Sequence, residues 1–188
     1  MMMITSWLMS MEEELQVYPK VVNVYKQRFD RMVEPAYLRE FSNYAETVLH
    51  DPIEGLDWRK LLEWEHRHFR YTKGRLPKVR AEMPIEILLQ KVGRCGEFAL
   101  LYNGLLLAKS YTCRLVIDCS TLRDRSKKVA GDHVWNEILT DNAWLHVDPT
   151  EKRVDQKSMY ATEWNKDVNS VYAISRSGIV DVTESYRV

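Results

Sequence analysis

The chain has no excess of charge: Lys and Arg together number 27, Asp and Glu together number 27, and the formal net charge is zero. There is therefore no global electrostatic pull toward nucleic acid or an anionic membrane, and neither is expected as a partner. Paired cysteines are missing as well. There are three cysteines, an odd count, and none stands in a Cys-x-x-Cys pair, which speaks against a disulfide framework and a cysteine-rich zinc site. Cys113 and Cys119 bracket the strand-like run Arg114 to Asp118 and would stand roughly 20 Å apart in an extended strand, too far to bridge. Both are expected to be buried free thiols. No long hydrophobic run is present. The apolar start Met1 to Met9 has no basic leader and soon meets Glu12-Glu13-Glu14, which fits neither a signal peptide nor a membrane span. A cytoplasmic protein is expected.

What is present fits one domain of ordinary size with decorations, at 188 residues. The first third reads as helical, with segments over Glu12 to Met32 and Pro35 to Leu49, and Pro35 suits a first helical turn. A helix over Asp57 to Tyr71 carries Trp58, Leu61, Leu62, Glu65 and Phe69 at spacings of three and four, with a basic, exposed tail His66 to Arg70. His66 and His68 point to nearly opposite helix faces, which argues against a shared metal. Another helix starts at Met83-Pro84 and ends near Gly93.

Val92-Gly93-Arg94-Cys95-Gly96-Glu97-Phe98-Ala99 then turns from loop into helix. Phe98, Leu101, Tyr102, Leu105 and Leu106 make an apolar face, while Leu100, Leu107 and Ala108 leave little of the rest polar, so this helix is buried. Cys95 lies one turn before Phe98 on that face, pointing into the protein at the helix start. The free amides and positive dipole end there favour a thiolate over a thiol and can hold an oxyanion. Gly93 and Gly96 allow close approach. Residues 93 to 99 alone leave a nucleophile and a merely capping cysteine equally open.

The second half reads as strands over Cys113 to Cys119, Asp132 to Leu139, Trp144 to Asp148, Ser170 to Ser175 and Ile179 to Thr183. Helices followed by antiparallel strands make the fold class α+β. Thr121 to Ala130, with Arg123, Arg125, Lys127 and Lys128, reads as a solvated basic loop. With Asp141-Asn142 as a two-residue hairpin loop, His133 pairs with Thr150 and Asp148 is diagonal to it; a one-residue slip puts His133 opposite Asp148. Either register keeps both on one face with Trp135, Glu137 and His146. A hydrophobic core would not choose that set, so this face is expected to be the functional one, with apolar Val134, Ile138, Leu145 and Val147 packing away from it.

These residues define a coherent chemistry. Cys95 would attack an amide carbonyl, His133 would protonate the leaving nitrogen, Asp148 would orient the ring, and a thioester would follow. Water would then complete hydrolysis, or an amine transamidation.

At these residues the chain resembles the transglutaminase-like superfamily, and within it the cytoplasmic peptide:N-glycanase branch. The likeness runs through Gly93 to Ala99, Asp132 to Glu137, Trp144 to Glu151, Tyr160, Glu163 to Lys166, Val171 to Ile174 and Val180 to Thr183, with Leu61 to Trp64 and Phe69 upstream. The resemblance implies a papain-like core over residues 51–188, an N-terminal helical extension over 1–50, and a nucleophile helix packed on an antiparallel sheet. It implies Cys95, His133 and Asp148 as catalytic residues, with Trp135 and Glu137 lining the substrate cleft. Trp58 or Trp64 would supply an indole N–H to the substrate oxyanion, against core packing as the plainer role. The implied substrate is a protein or glycoprotein. The branch's two Cys-x-x-Cys pairs have no counterpart, since Tyr71 to Arg94 contains no cysteine, so neither zinc nor another cofactor is expected. Three readings follow: a glycanase-like amidohydrolase, a transglutaminase or cysteine protease on the same scaffold, and a peptide- or glycan-binding module without turnover.

Overall fold

The computed structural model describes residues 18–77, 80–120, 133–155 and 169–186. The sequence readings at Thr121 to Ala130, Asp132, Tyr160 and Glu163 to Lys166 lie outside the described residues. Helix α1 spans Lys20–Met32 and buries Val22, Tyr25, Phe29 and Met32, one stripe along its length. Helix α2 follows over Pro35–Thr47, with Pro at its first position, and buries Phe41 and Ala45. Helix α3 runs Trp58–His68, and its N-cap Asp57 accepts from the Lys60 amide at 2.9 Å.

A two-residue strand β1 (Arg70–Tyr71), helix α4 (Pro84–Gln90) and a second short strand β2 (Val92–Gly93) lead into α5 (Cys95–Ala108). β1 and β2 pair in parallel, Arg70 with Val92 and Tyr71 with Gly93. α5 is apolar almost all round and buries every residue from Gly96 to Leu107. Each of its fully buried Leu or Phe side chains stabilises the fold by roughly 1.5–3 kcal/mol. Gly104 is needed there, because a Cβ would stand 2.6 Å from Pro84 Cγ.

Strands β3 (Cys113–Ser120), β4 (His133–Thr140), β5 (Ala143–Asp148), β6 (Arg153–Val154), β7 (Asn169–Ser175) and β8 (Gly178–Asp181) follow, then a 3₁₀ turn over Thr183–Tyr186. They form one antiparallel sheet in the order β6-β5-β4-β3-β7-β8. The β4–β5 hairpin turns on Asp141 and Asn142, whose φ angles of 47° and 64° are both left-handed, and Glu137 pairs with His146. Of the two registers the sequence left open, this is the one with Asp141-Asn142 as the loop.

The apolar face does not pack away from the nucleophile helix as expected. Val134, Ile138 and Val147 join the core cluster that contains α5, so the apolar face meets the helix that carries Cys95. Trp135 lies on the opposite face in a second cluster with Val116, Val171, Ala173, Val182 and Tyr186. α1 and α2 share the first cluster with α5, so the N-terminal helices are part of one continuous core. No helix among the described residues is long and apolar enough to cross a membrane.

Candidate active site

The path into α5 is held tightly. Gly93 admits no side chain, since a Cβ would lie 2.6 Å from Phe69 Cζ and 2.7 Å from Glu97 Cβ. One residue later, the Arg94 amide donates to Glu97 at 3.0 Å, and Glu97 in turn accepts from Arg80 at 2.7 Å. A buried carboxylate thus ties off the helix start. Cys95 follows as the first helical residue, half-buried and in no disulfide.

β4 delivers the imidazole. His133 is its first residue, with 18 % of its side chain exposed, and its Nε2 meets Asp148 Oδ2 at 2.8 Å. Asp148 is fully buried, and its other oxygen accepts from the Thr150 amide at 2.9 Å. The Cys95 thiol lies within hydrogen-bonding reach of His133. With Nε2 committed to the carboxylate, Nδ1 is the nitrogen left to face sulfur. Burial by itself would push His133 down, but the bonds and charges of Asp148 and Cys95 outweigh it and lift the ring to about 10. The ring therefore keeps its proton at neutral pH. The structure brings Cys95, His133 and Asp148 together.

It does not bring the predicted cleft residues with them. Trp135 and Glu137 were expected to touch substrate, yet both are fully buried. Trp135 Nε1 donates to the Tyr186 hydroxyl at 2.9 Å, that hydroxyl donates to Glu137 Oε1 at 2.6 Å, and Arg114 donates to Glu137 Oε2 at 2.6 Å. The Thr183–Tyr186 turn closes this network, and period-two reasoning had no means of seeing it. The Trp64 indole is engaged elsewhere as well. Trp64 is fully buried and its indole N–H donates to the Asp51 carbonyl at 2.8 Å. The Trp58 carbonyl accepts from Tyr102, seven residues along α5 from Cys95, which is roughly 10 Å at 1.5 Å per residue.

Three residues were missed. His66 was taken as exposed, but it is part-buried and its Nε2 donates to the Pro149 carbonyl at 2.7 Å, fixing the chain just after Asp148. Burial holds its pKa below the usual imidazole value. His68 instead meets Asp51 at 2.9 Å, so the two histidines go to separate partners. Glu65 is fully buried on α3, and burial, then the charge of Asp148, keeps it protonated well above the carboxylate range. Tyr25 of α1 reaches the nucleophile's own turn: a Cβ on Gly96 would collide with its hydroxyl. The helix that carries Tyr25 was legible; its contact with Gly96, 71 residues later, was not. Among the described residues no cluster of His, Cys, Asp and Glu could hold a metal ion.

A family model described as the transglutaminase-like superfamily matches residues 42–149. Among curated relatives, a peptide-N(4)-(N-acetyl-beta-glucosaminyl)asparagine amidase of Arabidopsis thaliana is 35 % identical over 61 % of this chain and 14 % of its own length. Proteins of the same description from Saccharomyces cerevisiae and Drosophila melanogaster are 35 % and 27 % identical, over 55 % and 95 % of this chain. The matched stretches make up 26 % and 29 % of those two relatives, so the chain spans a minor part of their length. A crystal structure of Rad4-Rad23 crosslinked to an undamaged DNA superposes with a TM-score of 0.57 at 17 % identity, covering 87 % of this chain and 45 % of that one. That likeness shows the shared fold alone.

Proposed function

The chain belongs to the transglutaminase-like superfamily, and on that premise we propose that it is a cysteine-dependent amide hydrolase with Cys95 as nucleophile, His133 as acid–base group and Asp148 as the group that orients the ring. The observation that carries this reading is the unbroken line from half-exposed thiol to imidazole to buried carboxylate. The Cys95 thiolate attacks the amide carbon, and the carbonyl π electrons move to oxygen. Collapse of the tetrahedral species breaks the C–N bond, with the His133 proton going to the leaving nitrogen. The acyl group remains on sulfur as a thioester. His133, now neutral, takes a proton from water as it attacks the thioester, and Cys95 is released with a free acid. Asp148 stays ionised throughout, holding the tautomer that presents Nδ1 to sulfur.

The substrate class we propose is the amide of an Asn-linked glycan on a protein, a reading supported by relatives at 32–35 % identity over half the chain or more. Transamidation of protein glutamine and peptide-bond cleavage use the same first step and differ in the acceptor and the cleft. Three cysteines outside any disulfide, two of them buried, support a reducing compartment such as the cytoplasm.

The test is incubation of a denatured N-glycoprotein with the wild type and Cys95→Ala, read by mass spectrometry. Glycan release with Asn converted to Asp is expected from the wild type alone. Amine incorporation or backbone cleavage would move the substrate to the transglutaminase or protease class. Tight binding with none of the three products would mark a recognition module and sink the hydrolase.

A further inference from the structure

We propose that the Tyr25 hydroxyl, together with the backbone N–H of Cys95, forms the oxyanion site of this enzyme, so that α1 contributes a catalytic residue to α5. The inference rests on Cys95 being the nucleophile. It starts from a vacancy in the chemistry: attack by sulfur puts a full charge on the carbonyl oxygen, and a backbone amide alone is half of the usual pair of donors. Trp64 cannot complete the pair because its N–H is bonded to the Asp51 carbonyl. Trp58 carries the Arg59 guanidinium 4.1 Å from its ring, and its backbone carbonyl accepts from Tyr102, two turns along α5.

Tyr25 is placed to be the second donor. Its side chain is 8 % exposed, and its hydroxyl presses on Gly96, the residue after the nucleophile, so closely that any Cβ there would collide with it. Gly96 is thereby explained as the gap through which a phenol reaches the first turn of α5. A phenol O–H set against the first turn of the nucleophile helix is placed to donate to an oxyanion that forms beside Cys95. Burial first, then the charge of Cys95, push the phenol above its usual range, so it stays a donor at any working pH. The ring is held by neighbours rather than by its hydroxyl: Phe29 and Met32 anchor the same stripe of α1, and the Arg28 guanidinium stands 5.3 Å from its centroid.

No proton leaves Tyr25. Its O–H and the Cys95 N–H point at the oxygen as sulfur bonds to carbon, and the bonds shorten as charge grows and relax when the C–N bond breaks. Tyr25→Phe removes one oxygen atom and no packing.

Two reactions of the same thiol separate this role from a structural one. Acylation by p-nitrophenyl acetate passes through an oxyanion; alkylation by iodoacetamide displaces iodide and does not. Tyr25→Phe should slow the acylation burst on the order of 100-fold, leave alkylation of Cys95 within about twofold, and lower kcat on a glycoprotein amide more than it raises KM. Equal acylation in Tyr25→Phe and wild type would overturn the Tyr25 role. A parallel fall in both reactions would do the same, reducing Tyr25 to a structural support. If p-nitrophenyl acetate does not acylate Cys95 in the wild type, the nucleophile itself is wrong, and that failure is seen before any Tyr25 variant is made.

Discussion

β4 presents two polar clusters on one face, and they behave oppositely. At its first residue, His133 joins a half-exposed thiol to a buried carboxylate. Two and four residues on, Trp135 and Glu137 join Tyr186 and Arg114 in a network with no exposed member among the indole and the carboxylate. Both clusters contain an acid, an aromatic ring and a cation, so composition does not separate them. Saturation does. Each Glu137 oxygen has a donor at 2.6 Å and none of the carboxylate is exposed, whereas the thiol that meets His133 is only partly buried. A polar network that is complete rigidifies a fold; one that is open can react.

The largest effect that tests this contrast is on turnover. Cys95→Ala should lower amide hydrolysis by at least about 10⁴-fold, the scale on which nucleophile removal acts in catalytic triads, with an unfolding midpoint near that of the wild type. Residual turnover near wild type would place the chemistry elsewhere. In the closed cluster the response should be inverted. Glu137→Ala leaves Arg114 and Tyr186 without their buried acceptor, and breaking a buried charge pair this way costs about 3–5 kcal/mol. For a chain of this length that is a fall in Tm of roughly 6–20 °C, read by calorimetry, with iodoacetamide labelling of Cys95 retained in the folded fraction. Lost turnover at an unchanged Tm would return Glu137 to the cleft.

The strands and shared faces behind this contrast were legible beforehand, but the contrast itself was not, for a physical reason. The sequence left two hairpin registers open, and period two set which residues share a face in either; the left-handed Asp141 and Asn142 decide between them in the structure. The buried character of α5 followed from its all-round apolar surface, which left Cys95 at the start of an interior helix. Parity does not say which face is covered. That depends on Tyr186, 49 residues beyond Glu137, and on its turn folding over β4. The Trp64 indole was likewise decided by a carbonyl 13 residues earlier, and the β1–β2 ribbon, two residues a side, is too short to leave a period. Local pattern fixed faces and turns; the partners of single polar atoms were tertiary.

A smaller change acts within the open cluster. Asp148→Asn keeps the shape of the side chain but removes the charge that helps lift His133 to about 10. Turnover should fall on the order of 10²–10⁴-fold through loss of ring orientation, and the His133 titration, followed by NMR, should move down. Stability gives an independent reading. His133 is raised on folding from its ordinary 6.5, so its contribution is whole below about pH 6.5 and is lost as pH rises toward 10. Wild type should lose Tm across that window and Asp148→Asn should lose less; parallel pH profiles would show that the carboxylate does not hold the proton.

The smallest expected effect decides where one cluster ends and the other begins. The ring of Trp135 lies 5.7 Å from that of His133 and 5.2 Å from that of Tyr186, so it borders both. Trp135→Phe deletes the donor to Tyr186 and keeps most of the ring. As a member of the closed network it should cost about 1 kcal/mol, the worth of one buried hydrogen bond, or roughly 2–4 °C in Tm, with KM unchanged. As a sugar platform it would do the reverse, raising KM several-fold at constant Tm, because the lost contact would be with substrate and not with protein. Tyr186 already occupies the indole N–H, and its hydroxyl in turn is committed to Glu137. A ring held at its polar edge by a saturated phenol is placed to back the imidazole, which puts Trp135 on the structural side of the boundary.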